Sequence, residues 1–310
     1  MKKKFDVLVA GEINPDLILS DPNLVPKFGQ QEILVDEAAL TIGSSNAIFA
    51  CGAARLGLNV AMIGVVGDDL FGSFMRQSLE ARDVDLSYII VNSEIKTGFS
   101  VILNRTTDRA ILSYLGAMNT LKAEDVTDEI LSEVRHLHVA SYFLQTSLQP
   151  GLPDLFQRAR RLGVTISLDP NWDPEERWEG FDKLLSLIDI FFPNEAELLS
   201  ITKSHNVQDG ISKLSQLSST VAVKLGSQGS IVQRNVLGSR LPAIPVQVAD
   251  TIGAGDSFDS GYVYGYLQGW SLEQCTRMAI VCGSLSTRDH GGTTAQPFLE
   301  EALQAIKQYY

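Results

Sequence analysis

Residues 250–269, DTIGAGDSFDSGYVYGYLQG, place a turn of small residues in front of a run with helical character. Gly253, Ala254 and Gly255 form the turn, and Asp256 follows directly. The first N–H groups of a helix lack partners and carry partial positive charge, and small residues let a phosphate approach them closely. The stretch therefore predicts a helix start that suits negative charge, including charge on a phosphoryl group in transfer.

Asp256 itself has two interpretations. An isolated Asp after glycine at the start of a helix most often serves as an N-cap. The alternative is a catalytic base that takes the proton from an attacking hydroxyl beside a phosphate. The four residues GAGD alone leave both interpretations open.

The rest of the chain alternates short apolar strands with helical patterns. The alternation begins with a strand at 5–11, a helix at 44–57, a strand at 60–67 and a helix at 70–83. It continues with strands at 136–141, 164–170, 190–194 and 221–226, and with helices at 152–163, 181–189, 194–201 and 207–218. Such alternation predicts an α/β fold, with a mostly parallel sheet covered by helices on both faces.

Two segments interrupt this alternation. Residues 13–42 are strand-like and rich in turn residues, and residues 97–115 suit a hairpin around NRTTD. We expect the two segments to form a small β lid. The α/β core then consists of residues 1–12, 43–96 and 116–310. A lid is useful above a reactive phosphate because it excludes water from the chemistry.

Polar residues follow several of the predicted strands. Because ligands of open α/β sheets bind outside the carboxyl ends of the strands, we expect these residues to surround one crevice. They are Asn14, Asp16, Gly67, Asp68, Asp169, Asn171, Asn194, Glu197 and Gly226.

Composition limits the classes of function. The 310 residues, 45% of them hydrophobic, suffice for one large domain or two of moderate size. A net charge of −12 without a basic face argues against a nucleic-acid partner. No apolar run approaches the roughly 20 residues of a membrane span, so we expect no membrane partner. Three cysteines without metal-type spacing indicate a cytoplasmic protein with buried thiols, and His136 and His138 suit a structural role better than a metal site.

The wider sequence decides between the two interpretations of Asp256. Residues 250–263, DTIGAGDSFDSGYV, resemble position by position the C-terminal signature of the ribokinase-like (PfkB) family of carbohydrate kinases. The resemblance extends from about residue 5 to about residue 300 and implies a three-layer ribokinase-like fold. It also implies that the small-residue turn at 253–255 forms an anion hole and that Asp256 is the catalytic base.

Three further segments resemble the nucleotide side of that family. PNEAEL at 193–198 is similar to its Asn-x-x-Glu motif and implies that Asn194 and Glu197 organise Mg²⁺, largely through water. VAVKLGSQGS resembles the strand and turn beside the nucleotide, and RDHGGTTAQP resembles the loop that closes around it. The ATP-binding residues that the resemblance implies are Asn194, Lys224, Gly226, Thr251, Gly253, Gly255 and Gly292.

The substrate side begins with GEINPD at 11–16, which is similar to the family's G-x-x-N-x-D. Asn14 and Asp16 would then bind substrate hydroxyls, because a carboxylate accepts hydrogen bonds and an amide both donates and accepts them. Gly43 and Asn46, from TIGSSNAIFACGAARLG, are the further expected substrate ligands, together with Asp256.

Two departures from the family pattern lie on this sugar side. Ser44 and Ser45 follow a single glycine where the family usually has paired glycines before its asparagine, and that asparagine column lies nearer Ile48 than Asn46. Asp173 stands where many members have an arginine. The phosphate side is intact, so the sequence predicts a working kinase without identifying its sugar.

We therefore expect an ATP-dependent sugar kinase in which Asp256 deprotonates a primary hydroxyl. A nucleoside kinase of the same family and a non-catalytic sugar- or nucleotide-binding regulator are the alternatives. A nicotinamide-dependent dehydrogenase is disfavoured because no G-x-G-x-x-G follows the first strand. The resemblance also admits a monovalent cation such as K⁺ near the loop before Asp250, and exposed lid strands suit a homodimer formed by edge pairing.

Overall fold

A computed structural model describes residues 3–105, 108–181 and 183–310. Within these ranges, one large sheet contains nine strands. They are β1 (Phe5–Ala10), β4 (Val60–Ile63), β6 (Val84–Asp85), β10 (Val134–Val139), β11 (Thr165–Leu168), β12 (Ile190–Phe191), β13 (Thr220–Lys224), β14 (Ser230–Arg234) and β15 (Leu237–Leu241). Their order is β15-β14-β13-β12-β11-β10-β1-β4-β6. All neighbours from β6 to β13 pair in parallel and only β14 and β15 are antiparallel, which confirms the predicted mostly parallel sheet.

Side-chain alternation along the central strand β1 divides the core into two halves. The helices are α1 (Ser45–Arg55), α2 (Leu70–Glu80), α3 (Asp128–Ser132), α4 (Leu152–Arg161), α5 (Glu195–Thr202), α6 (Val207–Leu214), α7 (Ala254–Leu267), α8 (Leu272–Ser286) and α9 (Leu299–Tyr309). Val7 and Val9 join one buried cluster with helices α1, α2, α7, α8 and α9, whereas Leu8 and Ala10 join another with α3, α4, α5 and α6. Helices on both faces of the sheet give three layers. Among the described residues, no helix combines the length and the apolar character needed to cross a membrane.

A separate sheet, here called the lid sheet, has four strands within the described residues: β2 (Pro15–Ser20), β3 (Glu37–Ile42), β8 (Phe99–Asn104) and β9 (Arg109–Tyr114). Their order is β3-β2-β8-β9, with β2 parallel to β8 and the other pairs antiparallel. Near the β8–β9 turn the Arg105 N–H donates to the Asp108 carbonyl at 2.8 Å. Thr106 and Thr107, the middle of the predicted NRTTD turn, lie outside the described residues. A short parallel pair, β5 (Val65–Gly67) and β7 (Ile90–Asn92), lies beside the main sheet.

One predicted element differs. The segment predicted as a helix at 181–189 forms turns over residues 183–187, and Asp182 lies outside the described residues. The Leu184 N–H donates to the Phe181 carbonyl at 2.9 Å, as in a single turn. The apolar residues of this segment are spaced as in a helix because they are buried, although the segment is not a regular helix. The buried side chains are Phe181, Leu184, Leu185 and Ile188.

Parallel pairing brings the strand ends to one edge of the main sheet. β1, β10, β11 and β13 all point the same way, so the residues after them gather there. The start of α7 reaches the same edge and packs against α1, where a Cβ at Gly253 would lie 2.9 Å from a methyl group of Ile48. The polar residues that follow the strands therefore face the start of α7.

Candidate active site

Helix α7 begins at a glycine in a left-handed conformation. Gly253 is its N-cap, with φ 71°, and a glycine has no side chain that could cap the first-turn N–H groups. A Cβ atom at this position would lie 2.7 Å from the Cα of Gly292, so only glycine fits without a shift of backbone. Because the first-turn N–H groups lack intrahelical partners, they and the helix dipole favour an anion at this end of α7.

Asp256 lies in the first turn of α7 and does not cap the helix, because the cap is Gly253. The residue is buried, with 7% of its surface exposed. Burial raises the pKa of Asp256 to about 8, and the charge of Asp169 raises it as well. The charge of Lys224 lowers it. A carboxyl group with a pKa near neutrality is suited to accept a proton during catalysis.

Lys224, at the end of β13, is held between two buried carboxylates. Its Nζ lies 2.6 Å from Asp169 Oδ2 and 3.3 Å from Asp259 Oδ2, and both acidic side chains are 1% exposed. Burial lowers the pKa of Lys224, but the surrounding carboxylates raise it further, so the lysine stays charged. One ammonium does not compensate two acids, and burial raises the pKa of Asp259 well above its usual range. Lys224 thus neutralises part of an acidic interior.

Asn194 and Glu197 form a capping box at the start of α5. The Asn194 side chain accepts a hydrogen bond from the Glu197 N–H at 2.9 Å, and Glu197 accepts from the backbone and side-chain amides of Asn194 at 2.8 and 2.6 Å. Asn194 also forms an isolated parallel bridge with Lys224. Burial and the charge of Asp169 raise the pKa of Glu197 to about 7. The pair is therefore an acidic, buried neighbour of the lysine.

The charge balance of this interior suits a divalent cation. The site holds four buried carboxyl groups and one ammonium group, which belong to Asp169, Glu197, Asp256, Asp259 and Lys224. Among the described residues, no three His, Cys, Asp or Glu side chains are arranged to hold a metal directly. Mg²⁺ keeps several waters and takes one or two carboxylates together with phosphate oxygens. The residues therefore fit Mg²⁺ held largely through water.

Asn14, Asp16 and Gly43 come together on the substrate side. The Asn14 amide Nδ2 donates to Asp16 Oδ1 at 3.3 Å, and the buried Asn14 Oδ1 has no hydrogen-bond partner among the described residues. A Cβ at Gly43 would overlap the Asp16 carboxylate, so glycine leaves room for it. Burial raises the pKa of Asp16 to about 7, and Arg109 of the lid sheet lowers it. The unsatisfied acceptor and the acid suit a hydroxyl-bearing ligand.

Asn46, predicted as a substrate ligand, makes its hydrogen bonds within the protein. It is fully buried, and its Oδ1 accepts from the Ala140 N–H at 2.9 Å. Its Nδ2 donates to the Ala140 carbonyl at 3.2 Å and to the carboxylate of Glu12. Burial raises the pKa of Glu12 to about 7, and hydrogen bonds from Ser141, Asn46 and Ser44 lower it. The amide of Asn46 is used entirely by the protein and positions Glu12.

Among the nucleotide-side glycines, Gly226 borders open space. Gly226, with φ 56°, begins the short turn Gly226–Gln228, and among the described residues beyond its chain neighbours no atom lies within 4 Å of the position of a Cβ there. Asp250 ties the loop before α7 to the glycine loop, since its Oδ2 accepts from the Gly291 N–H at 3.1 Å. A cavity of about 840 Å³ lies between the loop before α7, which includes Thr251, and Arg109 of the lid sheet. Its volume lies within the roughly 300–1,000 Å³ of ligand pockets.

The chain as a whole matches one family of enzymes. The pfkB family of carbohydrate kinases matches residues 4–299. The chain belongs to this family. It is 29% identical to a ribokinase of Haemophilus influenzae over 99% of both chains, and 31% identical to a fructokinase of Klebsiella pneumoniae over 85% of this chain and 91% of the fructokinase. The structure of Arabidopsis thaliana ribokinase complexed with ribose and ATP shares the fold, with a TM-score of 0.85, 24% identity and 99% coverage of each chain.

Membership in the family confirms the predicted ribokinase-like fold and the predicted class of enzyme. The pfkB kinase described here is a phosphotransferase whose acceptor is an alcohol group. The structure places the predicted residues of this kinase at one edge of the sheet, with Gly253 against Gly292 and with Gly255 next to the Lys224 side chain. Among the predicted substrate ligands, the amide of Asn46 is used by protein contacts, whereas Asn14 Oδ1 has no hydrogen-bond partner among the described residues.

Five residues that contact this site were not predicted as ligands or catalytic groups. Asp259 lies one turn after Asp256 on α7, a spacing that the sequence displays and that places both on one helix face. Asp169 and Asn171 were expected at the crevice because they follow a predicted strand. Glu12 and Ser45 give a weaker signal, because their contacts depend on the tertiary fold.

The histidine pair is structural. His136 contacts the hydroxyl groups of Thr165 and Ser167 at 2.8 and 2.7 Å. His138 stacks on Phe49 with ring centroids 3.6 Å apart. Burial lowers the pKa of His136 to about 3, so this imidazole is neutral at physiological pH.

Proposed function

We propose that this kinase transfers the γ-phosphoryl group of ATP to a primary hydroxyl of a small carbohydrate, with Asp256 as the base. The observation that carries the proposal is the position of Asp256, a buried carboxyl group in the first turn of the uncapped helix α7. A base beside an anion site is what phosphoryl transfer to an alcohol requires.

The reaction that this geometry supports is an in-line displacement. Asp256 accepts the hydroxyl proton while the acceptor oxygen forms a bond to the γ-phosphorus. The bond between that phosphorus and the bridging oxygen breaks, and ADP leaves. The first-turn N–H groups of α7, from Ala254 and Gly255 onward, stabilise the charge on the migrating group. The proton on Asp256 then passes to solvent.

The nucleotide is proposed to lie over the glycine turns. Lys224, Gly226, Thr251 and Gly292 would border ATP, and the space beside Gly226 leaves its backbone accessible to the nucleotide. Asn194 and Glu197 would hold Mg²⁺ through water, as their buried acidic surroundings favour a cation. When bound, Mg²⁺ neutralises phosphate charge.

The acceptor is proposed to be a sugar, bound by Asn14 and Asp16. The lid-sheet face above the site presents Ile18 and Ile102, which form a small buried cluster with Ile252 from the loop before α7. The aromatic rings of the lid sheet lie elsewhere, since Phe99 contacts Phe71 of α2 with ring centroids 5.0 Å apart. A nucleoside kinase would want an aromatic, base-sized pocket, so this face favours the carbohydrate over the nucleoside alternative. The relatives include a ribokinase and a fructokinase, and a solved ribokinase of similar fold contains ribose and ATP.

A coupled assay of ADP formation tests the proposal. The purified kinase is supplied with MgATP and, one at a time, with pentoses, hexoses, keto-deoxy acids and nucleosides. We expect acceptor-dependent ADP formation with a sugar or sugar acid. Turnover with nucleosides alone would favour the nucleoside kinase, and binding without turnover of any acceptor would favour a regulator.

We infer that the lid segments 13–42 and 97–115 cover the acceptor. The contact of Ile252 with Ile18 and Ile102 joins the lid sheet directly to the residue before Gly253. A lid in this position excludes water from the transferring phosphoryl group, which prevents hydrolysis of ATP.

The opposite face of the lid sheet supports the proposed homodimer. One apolar row crosses all four strands in register, and it consists of Leu40, Leu17, Val101 and Leu112. Leu40 is 42% exposed and Leu112 is 59% exposed. An exposed apolar sheet face favours association with a second copy, through the face as well as through the edges β3 and β9. Light scattering should show a dimer for the wild type and a monomer for Leu112→Asp.

Two further expectations stay proposals. Cys51, Cys275 and Cys282 are buried and free, which suits the reducing cytoplasm. A monovalent cation such as K⁺ near the loop before Asp250 would raise turnover in K⁺ relative to Na⁺ buffers.

A further inference from the structure

The side of the lid sheet that faces the candidate active site carries a row of polar side chains, here called the polar row. Strand register places one member on each strand, and the members are Thr41, Asp16, Ser100 and Ser113. The hydroxyl oxygens of Ser100 and Ser113 lie 2.9 Å apart and share a hydrogen bond in which either can be the donor. The function proposed above uses Asp16 and leaves this pair of serines without a role.

Two contacts fix the direction in which the polar row crosses the site. A Cβ at Gly291, in the glycine loop, would lie 3.0 Å from the Thr41 hydroxyl oxygen, so this end of the row meets the loop expected to close around the nucleotide. A Cβ at Gly43 would overlap the carboxylate of Asp16, the next member of the row. Ser100 therefore lies beyond Asp16, on the side away from the glycine loop.

The spacing of the strands suits one small acceptor. Neighbouring strands of a sheet lie about 4.8 Å apart, so Ser100 is offset from Asp16 by about this distance. A single sugar ring is about as wide as this offset, and one acceptor can therefore contact both side chains. Because the phosphoryl group arrives from the side of the glycine loop, the hydroxyl that meets Ser100 is remote from the one that is phosphorylated.

The serine pair supplies what the neighbouring carboxylate lacks. Asp16 as a carboxylate only accepts hydrogen bonds, whereas a serine hydroxyl both donates and accepts. If Ser113 donates to Ser100, the hydrogen of Ser100 is free for a ligand. If Ser100 donates instead, its oxygen remains free to accept. Ser100 is nearly buried, with 7% of its surface exposed, so a hydroxyl bound there exchanges little with water.

The charges around the polar row disfavour an acidic group on the acceptor. The row itself contains an acid and no cation. Arg109 lies on the same side of the lid sheet but four residues before Ser113 on β9, which is about 13 Å along the strand. The row of Ile18 and Ile102 lies between them. Lys224 is held by Asp169 and Asp259 in the interior.

We propose that Ser100 binds an acceptor hydroxyl remote from the one that is phosphorylated, and that the acceptor is an uncharged sugar rather than a sugar acid or a sugar phosphate. Ser100 is then a specificity-determining residue, and Ser113 is a positioning residue that acts through it. The inference rests on the proposed function and names the class of its substrate.

Monodeoxy analogues test this contact. The parent acceptor is the sugar with the highest kcat/KM in the acceptor screen, and each analogue lacks one hydroxyl other than the phosphorylated one. A site that hydrogen-bonds a hydroxyl rejects the analogue without it, so the wild type should prefer the parent about tenfold over the analogue that lacks the hydroxyl bound by Ser100. In Ser100→Ala the kcat/KM for the parent should fall about three- to tenfold, and this preference should largely disappear.

The other analogues show whether the effect is local. Analogues that lack the hydroxyls bound by Asn14 and Asp16 should remain poor acceptors for Ser100→Ala, by the same factors as for the wild type. The KM for ATP should not change. A merely structural role of Ser100 would lower the kcat/KM of the parent and of every analogue alike.

Four further variants separate recognition from folding. Ser100→Cys replaces the hydroxyl by a weakly hydrogen-bonding thiol and should behave as Ser100→Ala, whereas Ser100→Thr keeps the hydroxyl and should retain the preference. Ser113→Ala removes only the partner of Ser100, so it should weaken the preference for the same hydroxyl by a smaller factor. Ser212→Ala removes an exposed hydroxyl of α6 that donates to the Gln208 carbonyl, and it should change neither the kinetics nor the melting temperature.

The outcomes distinguish this inference from the proposed function. An unchanged preference in Ser100→Ala, or an equal loss for the parent and all analogues, would overturn the role of Ser100. With sugar phosphates added to the screen, a sugar acid or sugar phosphate that exceeds every uncharged sugar in kcat/KM would overturn the assigned substrate class. Both results leave the carbohydrate kinase standing. No turnover of any carbohydrate by the wild type would defeat the proposed function and the inference with it.

Discussion

Lys224→Met should destabilise the protein strongly, because it removes a buried charge from between two acids while keeping much of the side-chain volume. Lys224 Nζ lies 2.6 Å from Asp169 and 3.3 Å from Asp259, and both carboxylates are almost fully buried. Removing one partner of a buried ion pair costs about 3–5 kcal/mol. Each kcal/mol lowers the melting temperature of a chain of this size by about 2–4 °C, so we expect a decrease of about 6–20 °C.

Urea unfolding followed by circular dichroism measures this cost. Lys213→Met is the matched control, since Lys213 is an exposed lysine of α6 that donates to the Thr202 carbonyl, and it should change stability by less than about 1 kcal/mol. Lys224→Met/Asp259→Asn should recover part of the loss, because one uncompensated charge is removed. A Lys224→Met protein as stable as the control would refute the reasoning that the lysine balances a buried acidic interior.

Two other predictions follow from the site. Gly43→Ala places a Cβ against the Asp16 carboxylate and 2.9 Å from Asn14 Nδ2. The KM for the acceptor should therefore rise at least about tenfold, while ATP binding measured by calorimetry stays unchanged. An acceptor KM equal to that of the wild type would contradict the proposed sugar side. Burial raises the pKa values of Glu12, Asp16 and Glu197 to about 7 and that of Asp256 to about 8, so the folded protein binds these protons more tightly than the unfolded chain. The stability they contribute is fully present below the unfolded pKa values near 4, decreases as the pH rises, and is lost once the pH has passed 7 to 8. The melting temperature of the ligand-free protein should therefore fall between pH 6.5 and 8.5, and a rise over that range would show that these groups are already ionised.

The start of α7 could be predicted from the sequence because its requirements are local. Gly253 has to adopt φ 71°, and Asp256 follows three residues later, so both constraints appear within one short signature. Six strands of the main sheet were predictable for the same reason, since each displays its own apolar run; β6, β14 and β15 were not predicted. The segment at 181–189 shows the limit, because burial alone produced a helix-like spacing there.

The acidic interior could not be predicted, because its partners are distant in the chain. Lys224 is 55 residues from Asp169 and 35 from Asp259, and only the parallel sheet and α7 bring them together. Asn46 has the residue type of a ligand, yet its amide is used by Glu12 and Ala140, which no local pattern reveals. Sequence motifs therefore identified the residues of the site but not the contacts that set their charge.

The most direct test of the account is a comparison of turnover and ATP binding in Asp256→Asn. This change keeps the shape of a buried side chain in the first turn of α7 and removes its ability to accept a proton. The account predicts that phosphoryl transfer to the sugar found in the acceptor screen falls at least about a thousandfold, while calorimetry shows ATP binding close to that of the wild type. Turnover within a few-fold of the wild type would contradict the assignment of Asp256 as the base.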